Sequence, residues 1–246
     1  MRRDGLTFDP GEAGDTLCID GAPLSSAGCW LSSAEIGEAA PALAISEVPG
    51  RPGGIDRTLE LADGSAVPGR RACAFTVATS HPTRAMLWLG RLAGRVVEVF
   101  YEPLGFSLRG RLAVGQWDLG GISTVALALD AEPYGLGIEC ASEGPRAFIE
   151  GSAPAEPVFE VKVKTERPRI ELEVDGRGVM RVPSAAGNWK AGATIVIDCA
   201  SHAVRTGGNP IAPTLDSDWP VLDPGQHEIA CEGCEVKASW RERFMF

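Results

Sequence analysis

Apolar residues recur along this chain mostly at alternate positions, in short runs broken by Gly- and Pro-containing turns. That is the pattern of strands with one wet and one buried face. Leu17, Cys18 and Ile19 precede an Asp20-Gly21 turn signal, and the runs Trp30 to Ile36 and Leu43 to Ile45 follow. Val48-Pro49-Gly50-Arg51-Pro52-Gly53-Gly54-Ile55-Asp56 then places two Pro and three Gly within nine residues, which no regular element sustains. The pattern predicts a loop of defined shape there, followed by a strand over Arg71 to Thr79 with Phe75 and Val77 on one face.

The period then lengthens. His81 to Gly94 reads as the best helix in the chain, near residues 82–93, with Ser80 able to cap it, Pro82 in its first turn and Gly94 as a stop. Met86, Leu89 and Leu92 or Ala93 form its expected buried stripe. Three strands follow, Arg95 to Tyr101, Phe106 to Val114 and Ile122 to Ala131, and make a β-meander. From Pro133-Tyr134-Gly135 to Pro157 periodicity gives way to Gly, Ser, Ala, Pro and Glu, apart from a short RAFIE patch. Residues 135–157 are therefore expected to be a linker between a domain at 1–134 and one at 158–246.

Beyond that segment the alternation is cleanest. Phe159, Val161 and Val163 stand against Glu160, Lys162 and Lys164, and Ile170, Leu172 and Val174 against Glu171 and Glu173. Gly178 to Val182, Ala193 to Cys199, His202 to Arg205, Gln226 to Cys231 and Glu235 to Trp240 add five more short strands. About seven strands in roughly 90 residues is the count of a β-sandwich. The expected fold is mainly β with two domains: an N-terminal β-sandwich or split barrel carrying one short helix, and a C-terminal antiparallel β-sandwich.

Composition narrows the function classes. The 246 residues include 30 Gly and 18 Pro, which argues against long helices, while 44 % hydrophobic content supplies a globular core and excludes general disorder. There are 23 Lys and Arg against 33 Asp and Glu, a formal charge of −10, and the excess is spread evenly. Residues 1–134 hold 11 Arg, no Lys and 16 acids, and residues 135–246 hold 12 basic and 17 acidic residues. With no basic arm or face, tight nucleic-acid binding is not expected, because counterion release has little to act on. No apolar stretch approaches the ~20 residues of a membrane helix. Met1-Arg2-Arg3 is followed by Asp4, Asp9, Glu12 and Asp15 rather than an apolar export signal, so synthesis and folding in a cytoplasm are expected.

The chemistry-bearing residues form no convergent motif. Seven Cys at irregular spacings fit reduced, mostly buried thiols. Cys231-Glu232-Gly233-Cys234 has the spacing of half a zinc knuckle or a redox dithiol, but it lacks a second paired motif and spans a turn between strands, so it is expected to be two strand-end thiols. His81, His202 and His227 are expected at the surface. Asp216-Ser217-Asp218 reads as a turn, and Glu171 with Glu173 as a solvated strand face. A nucleophile elbow, a Walker lysine and a Rossmann fingerprint are all missing. No catalytic residue, cofactor or metal site is expected, and the chain does not read as an enzyme. Of the six Trp, Trp189 and Trp219 lie in loops and are the candidates for stacking on sugar rings.

The order of four segments resembles the distal tail proteins of long-tailed, non-contractile bacteriophages, the phage tail protein family. The segments are the MRRDGLTF start, the VPGRPGGID loop, the Gly110-Arg111 strand followed by one ending Ala131-Glu132-Pro133-Tyr134, and Trp219-Pro220-Val221-Leu222-Asp223-Pro224-Gly225-Gln226-His227-Glu228-Ile229. Pro52 stands where the family often has Asp, and His227-Glu228 replaces its usual Asn. The resemblance covers nearly the whole length. It implies a virion tail-tip protein, made in the bacterial host cytoplasm, that forms a hexameric ring. That ring would join the tail tube protein to the tail-associated hub protein and to receptor-binding proteins, with a central channel for DNA and no membrane insertion. It also implies a ring-forming N-terminal domain and a galectin-like C-terminal sandwich. Pro49, Gly50, Arg51, Ile55 and Asp56 are the candidate ring-interface loop. The competing expectation is a galectin-like adhesin that binds host cell-wall glycan through Trp189 and Trp219.

Overall fold

A computed structural model describes residues 16–246 apart from Arg51, residues 61–63 and Ser65. The expected MRRDGLTF segment lies outside the described residues, as does Arg51. The protein is mainly β and divides into two compact units, one reaching to Leu136 and including Met245–Phe246, the other spanning Gly137–Phe244.

The first unit contains strands β1 (Leu17–Ile19), β2 (Ala22–Pro23), β3 (Cys29–Ile36), β4 (Ile45–Ser46), β5 (Ile55–Asp56) and β6 (Arg71–Thr79), then helix α1 (Pro82–Leu92), then β7 (Val96–Tyr101), β8 (Phe106–Asp118) and β9 (Ser123–Ala131). Seven of these strands form one antiparallel sheet in the order β2-β1-β7-β8-β9-β6-β3. Alternation places Phe75, Val77, Val99, Leu108, Leu112, Leu127 and Leu129 in one core. Phe75 on β6 and Tyr101 on β7 are three strand spacings apart, about 14 Å on a flat sheet. Their rings nevertheless meet edge to face at 6.3 Å, because the sheet curls around its core.

Helix α1 packs into that core through Ala85 and Leu89, with Trp88 and Leu92 alongside; Leu89 and Leu92 belong to the stripe expected from sequence, while Ala85 takes the place of Met86. It starts after His81, not after a capping Ser80: the His81 N–H is held by Thr79 Oγ1 at 2.9 Å, and no side chain caps the first turn. Ala85 is small enough to seat the helix closely, which shifts the buried face by one position.

The second unit contains β10 (Gly135–Glu143), β11 (Arg146–Ile149), β12 (Val158–Val163), β13 (Arg169–Val174), β14 (Arg177–Pro183), β15 (Thr194–Asp198), β16 (Ala203–Thr206), β17 (Asn209–Ile211), β18 (Gly225–Cys231) and β19 (Cys234–Phe244). The expected linker at 135–157 is thus corrected: it holds β10 and β11, and its RAFIE patch pairs with β18 in the register Ala147↔His227 and Ile149↔Gly225. Composition had hidden these strands because Gly, Ser and Ala give little periodic contrast. The sheets run β17-β16-β15-β12-β19-β10 and β11-β18-β13-β14. Phe159, Val161, Ile195 and Ile197 of the first face Leu172, Met180, Val182 and Ile229 of the second across one core, a β-sandwich.

The sandwich protects its edges. Thr214 N–H donates to the Arg181 carbonyl at 2.9 Å and Asp218 N–H to the Val179 carbonyl at 2.7 Å, so the 214–218 segment covers β14. At the other sheet's end Pro210 interrupts the donors of β17.

Candidate assembly surface

Between β3 and β6 the chain leaves the seven-stranded sheet for an excursion over residues 37–70. Its base continues the β3–β6 pairing: Gly37 N–H donates to the Ala72 carbonyl at 2.9 Å, Gly69 N–H to that of Ala40 at 2.6 Å, and Ala42 N–H to that of Val67 at 2.9 Å. Farther out, β4 and β5 pair as Ile45↔Asp56 and Ser46↔Ile55, a two-stranded sheet of its own. The VPGRPGGID loop is the tip of this small hairpin. Gly50, Gly53 and Gly54 all have positive φ there, which is why the sequence is glycine-rich.

The arm's side chains are its informative feature. Leu43 is 61 % exposed, Ile45 58 % and Leu59 74 %, and Val48 is exposed beside them. Arms of this kind are ordinarily polar. Large apolar side chains left exposed in one excursion are the kind of surface that interaction sites present. Pro49, Gly50 and Asp56 are exposed and Ile55 is half-buried. Asp56 shapes the turn rather than reaching outward: its Oδ1 accepts the Thr58 N–H at 2.9 Å, and the Thr58 hydroxyl and N–H hold its carboxyl below the usual range. Sequence reading found the loop but not Leu59, which no periodic run contains.

The stacking candidates stand differently. Trp189 is a core residue, 9 % exposed, with its indole N–H donating to the Val182 carbonyl at 3.1 Å. Backbone bonds to Arg167 fix its strand-like segment, so the expectation of a loop platform is corrected. Trp219 packs against the same core and stacks on His202 with centroids 4.9 Å apart and planes 14° from parallel. One of its ring faces is thus already in use.

The remaining polar groups are structural. Arg181 bridges Glu171 Oε1 at 2.8 Å and Asp216 Oδ2 at 2.6 Å, which ties one carboxylate from each cluster into an ion-pair network. Glu242, buried, accepts the Gly151 N–H at 2.6 Å and the Trp240 indole N–H at 2.8 Å. His227 is buried rather than at the surface, as its sequence had suggested. Its Nδ1 lies 2.8 Å from Asp175 Oδ2 and its Nε2 2.6 Å from the Asp223 carbonyl oxygen. Among the described residues no three His, Cys, Asp or Glu gather as a metal-binding group.

Residues 150–244 match the family model of the siphovirus-type tail component, C-terminal domain. That match covers most of the carboxy-terminal unit. Both units together have the fold of the Dit (gp 19.1) protein of phage SPP1, which is a paradigm of the hub adsorption apparatus in phages that infect Gram-positive bacteria. The two share 16 % sequence identity at a TM-score of 0.71, over 94 % of this chain and 99 % of that one. No curated protein matches this chain in sequence.

Proposed function

We propose that this protein is a distal tail protein that closes into a six-fold ring at the virion tail tip. The ring joins the tail tube to the tail-associated hub and receptor-binding proteins and leaves a central channel for DNA. The observation that carries this reading is the likeness to the SPP1 hub protein over nearly the full length of both chains, which includes the first unit that the family model leaves unmatched. The apolar arm supports it: in a ring each copy can bury the arm of its neighbour, and closure leaves no copy with an unsatisfied surface. Ring contacts accordingly lie in the first unit, with the 48–57 loop among them.

Electron microscopy of the purified chain, alone and with its tail partners, tests the reading. A ring with a central hole is expected, and a compact monomer in both samples would overturn it. Deletion of residues 48–57 is expected to leave folded monomers by light scattering; a surviving hexamer would remove that loop from the interface. The charge of −10 per copy suits a conduit, since acidic walls repel passing phosphates. Retention of duplex DNA by the ring at low salt would contradict that role.

A further inference from the structure

The Cys231-Glu232-Gly233-Cys234 segment occupies a mechanically special position. Cys231 ends β18, where it pairs with Leu172 of β13, and Cys234 begins β19, where it pairs with Val163 of β12. Strands β18 and β19 belong to opposite sheets of the sandwich, so this turn is a covalent crossing from one sheet to the other. The crossing is tightly fixed. The Gly233 carbonyl accepts both the Lys164 N–H at 2.9 Å and the Thr165 N–H at 3.1 Å. Gly233 adopts φ +62°, and the Arg167 guanidinium lies where a Cβ at that position would stand.

Two cysteines stand at the two ends of this turn. Cys231 and Cys234 are both free thiols. The ends of a four-residue turn lie within about 7 Å, close to the Cα span that a disulfide requires. Their accessibilities differ: Cys234 is half-buried, while Cys231 is buried. Among the other thiols Cys18, Cys29, Cys73 and Cys199 are buried and Cys140 is half-buried. None of these shares a turn with a second cysteine.

We propose that Cys231 and Cys234 are a redox-closable pair, oxidised by a small-molecule disulfide into an intramolecular bond that staples the two sheets of the sandwich at their crossing. The accessible Cys234 thiolate attacks one sulfur of the oxidant, forming a mixed disulfide and expelling one thiolate. Cys231 then gives its proton to solvent and attacks the Cys234 sulfur, expelling the second thiolate. Two protein thiols become one disulfide, and the oxidant is reduced to two small thiols. Burial first, and then the Cys234 sulfur, push the Cys231 thiol up to about 12, so Cys231 acts as the resolving rather than the attacking group. A reducing cytoplasm keeps the pair open and an oxidising medium closes it.

The test is incubation of the full chain with oxidised glutathione, alkylation of the remaining thiols, intact mass measurement and non-reducing peptide mapping. The expected result is a mass loss of about 2 Da, two fewer alkylated thiols, a 231–234 bridge and its reversal by a reductant. Cys231→Ser should trap glutathione on Cys234, and Cys234→Ser should abolish the bridge. The proposal is overturned if both thiols stay alkylatable, if a wild-type mixed disulfide on Cys234 persists without resolving, or if Cys234 bridges to Cys140 instead.

Discussion

Arg71 and Phe246 are 175 positions apart in sequence, yet the guanidinium carbon of one lies 3.7 Å above the ring centroid of the other. The same guanidinium donates through Nη2 to the Phe246 carbonyl at 3.0 Å and the Pro133 carbonyl at 2.9 Å, while the Phe106 ring packs 4.6 Å from Phe246. Arg71 is 1 % exposed, so residues 245–246 complete the cover of a buried charge. Phe246→Ala should cost about 1–2 kcal/mol, the sum of a cation–π and an aromatic contact. Arg71→Ala should cost about 2–4 kcal/mol by opening a cavity and stranding two carbonyls. Arg71→Met should cost less, because methionine fills most of the cavity that alanine leaves, while both variants remove the Nε and Nη1 that are buried without partners. Urea unfolding of both single variants and the double variant checks the pairing. A coupling of about 1 kcal/mol is expected, and strict additivity would remove it.

Gly110, in the Gly110-Arg111 segment, marks the closest approach of β8 to β9. A Cβ there would run into the Asp130 carbonyl oxygen and stand 2.6 Å from the Ala131 Cα. Both obstacles are backbone and cannot rotate away. Gly110→Ala is therefore expected to destabilise the protein by about 1–3 kcal/mol, despite its higher strand propensity. Chemical denaturation that shows no loss would mean that the two strands separate freely at this point.

Much of the architecture was legible because strands with one buried face write their period into the sequence. Phe159-Val161-Val163 and Ile170-Leu172-Val174 alternate as read, and all six residues enter the sandwich core. The exceptions share a physical cause. In β10, Gly135, Gly137 and Ala141 give no contrast between faces, so the strand passed as linker. Trp189 lies in a segment that reads as a loop, and His227 in a strand but as a surface residue; partners outside their own segments, Val182 for one and Asp175 for the other, draw them inward. The arm tip was visible in its glycines. Its apolar character was not, because Leu43, Ile45 and Leu59 lie on both sides of the tip and share no period.

Those arm residues should separate assembly from folding. Ile45→Ser combined with Leu59→Ser removes apolar surface that the single protomer leaves in water, so monomer stability should change by no more than about 0.5 kcal/mol per site. Ring formation should fail or weaken by at least tenfold in concentration. Thermal melting and light scattering on the same sample distinguish the two. A ring of unchanged affinity would show that the arm faces solvent in the assembly.

The His227–Asp175 pair gives the sandwich a pH dependence of definite sign. Burial alone would lower the histidine pKa, but the Asp223 carbonyl and the Asp175 carboxylate outweigh it and hold the value above the ordinary 6.5. Asp175 is held below 3.8, first by the Glu228 N–H and then by His227, with Arg177 contributing in the same direction. Below pH 6.5 the imidazolium is fully charged and donates from both nitrogens, one to Asp175 and one to Asp223. Its contribution is lost as pH rises through the raised folded value, when one ring nitrogen turns an unprotonated lone pair toward an oxygen that can only accept. At the acid end the Asp175 contribution is lost as pH falls through its own depressed value. His227→Gln should therefore destabilise most near pH 6, by about 1–2 kcal/mol, and progressively less toward pH 8. Melting temperatures of the two proteins across that range should converge on the alkaline side. A gap that widens with pH would show that the native imidazole is neutral and that Asp223 alone holds it.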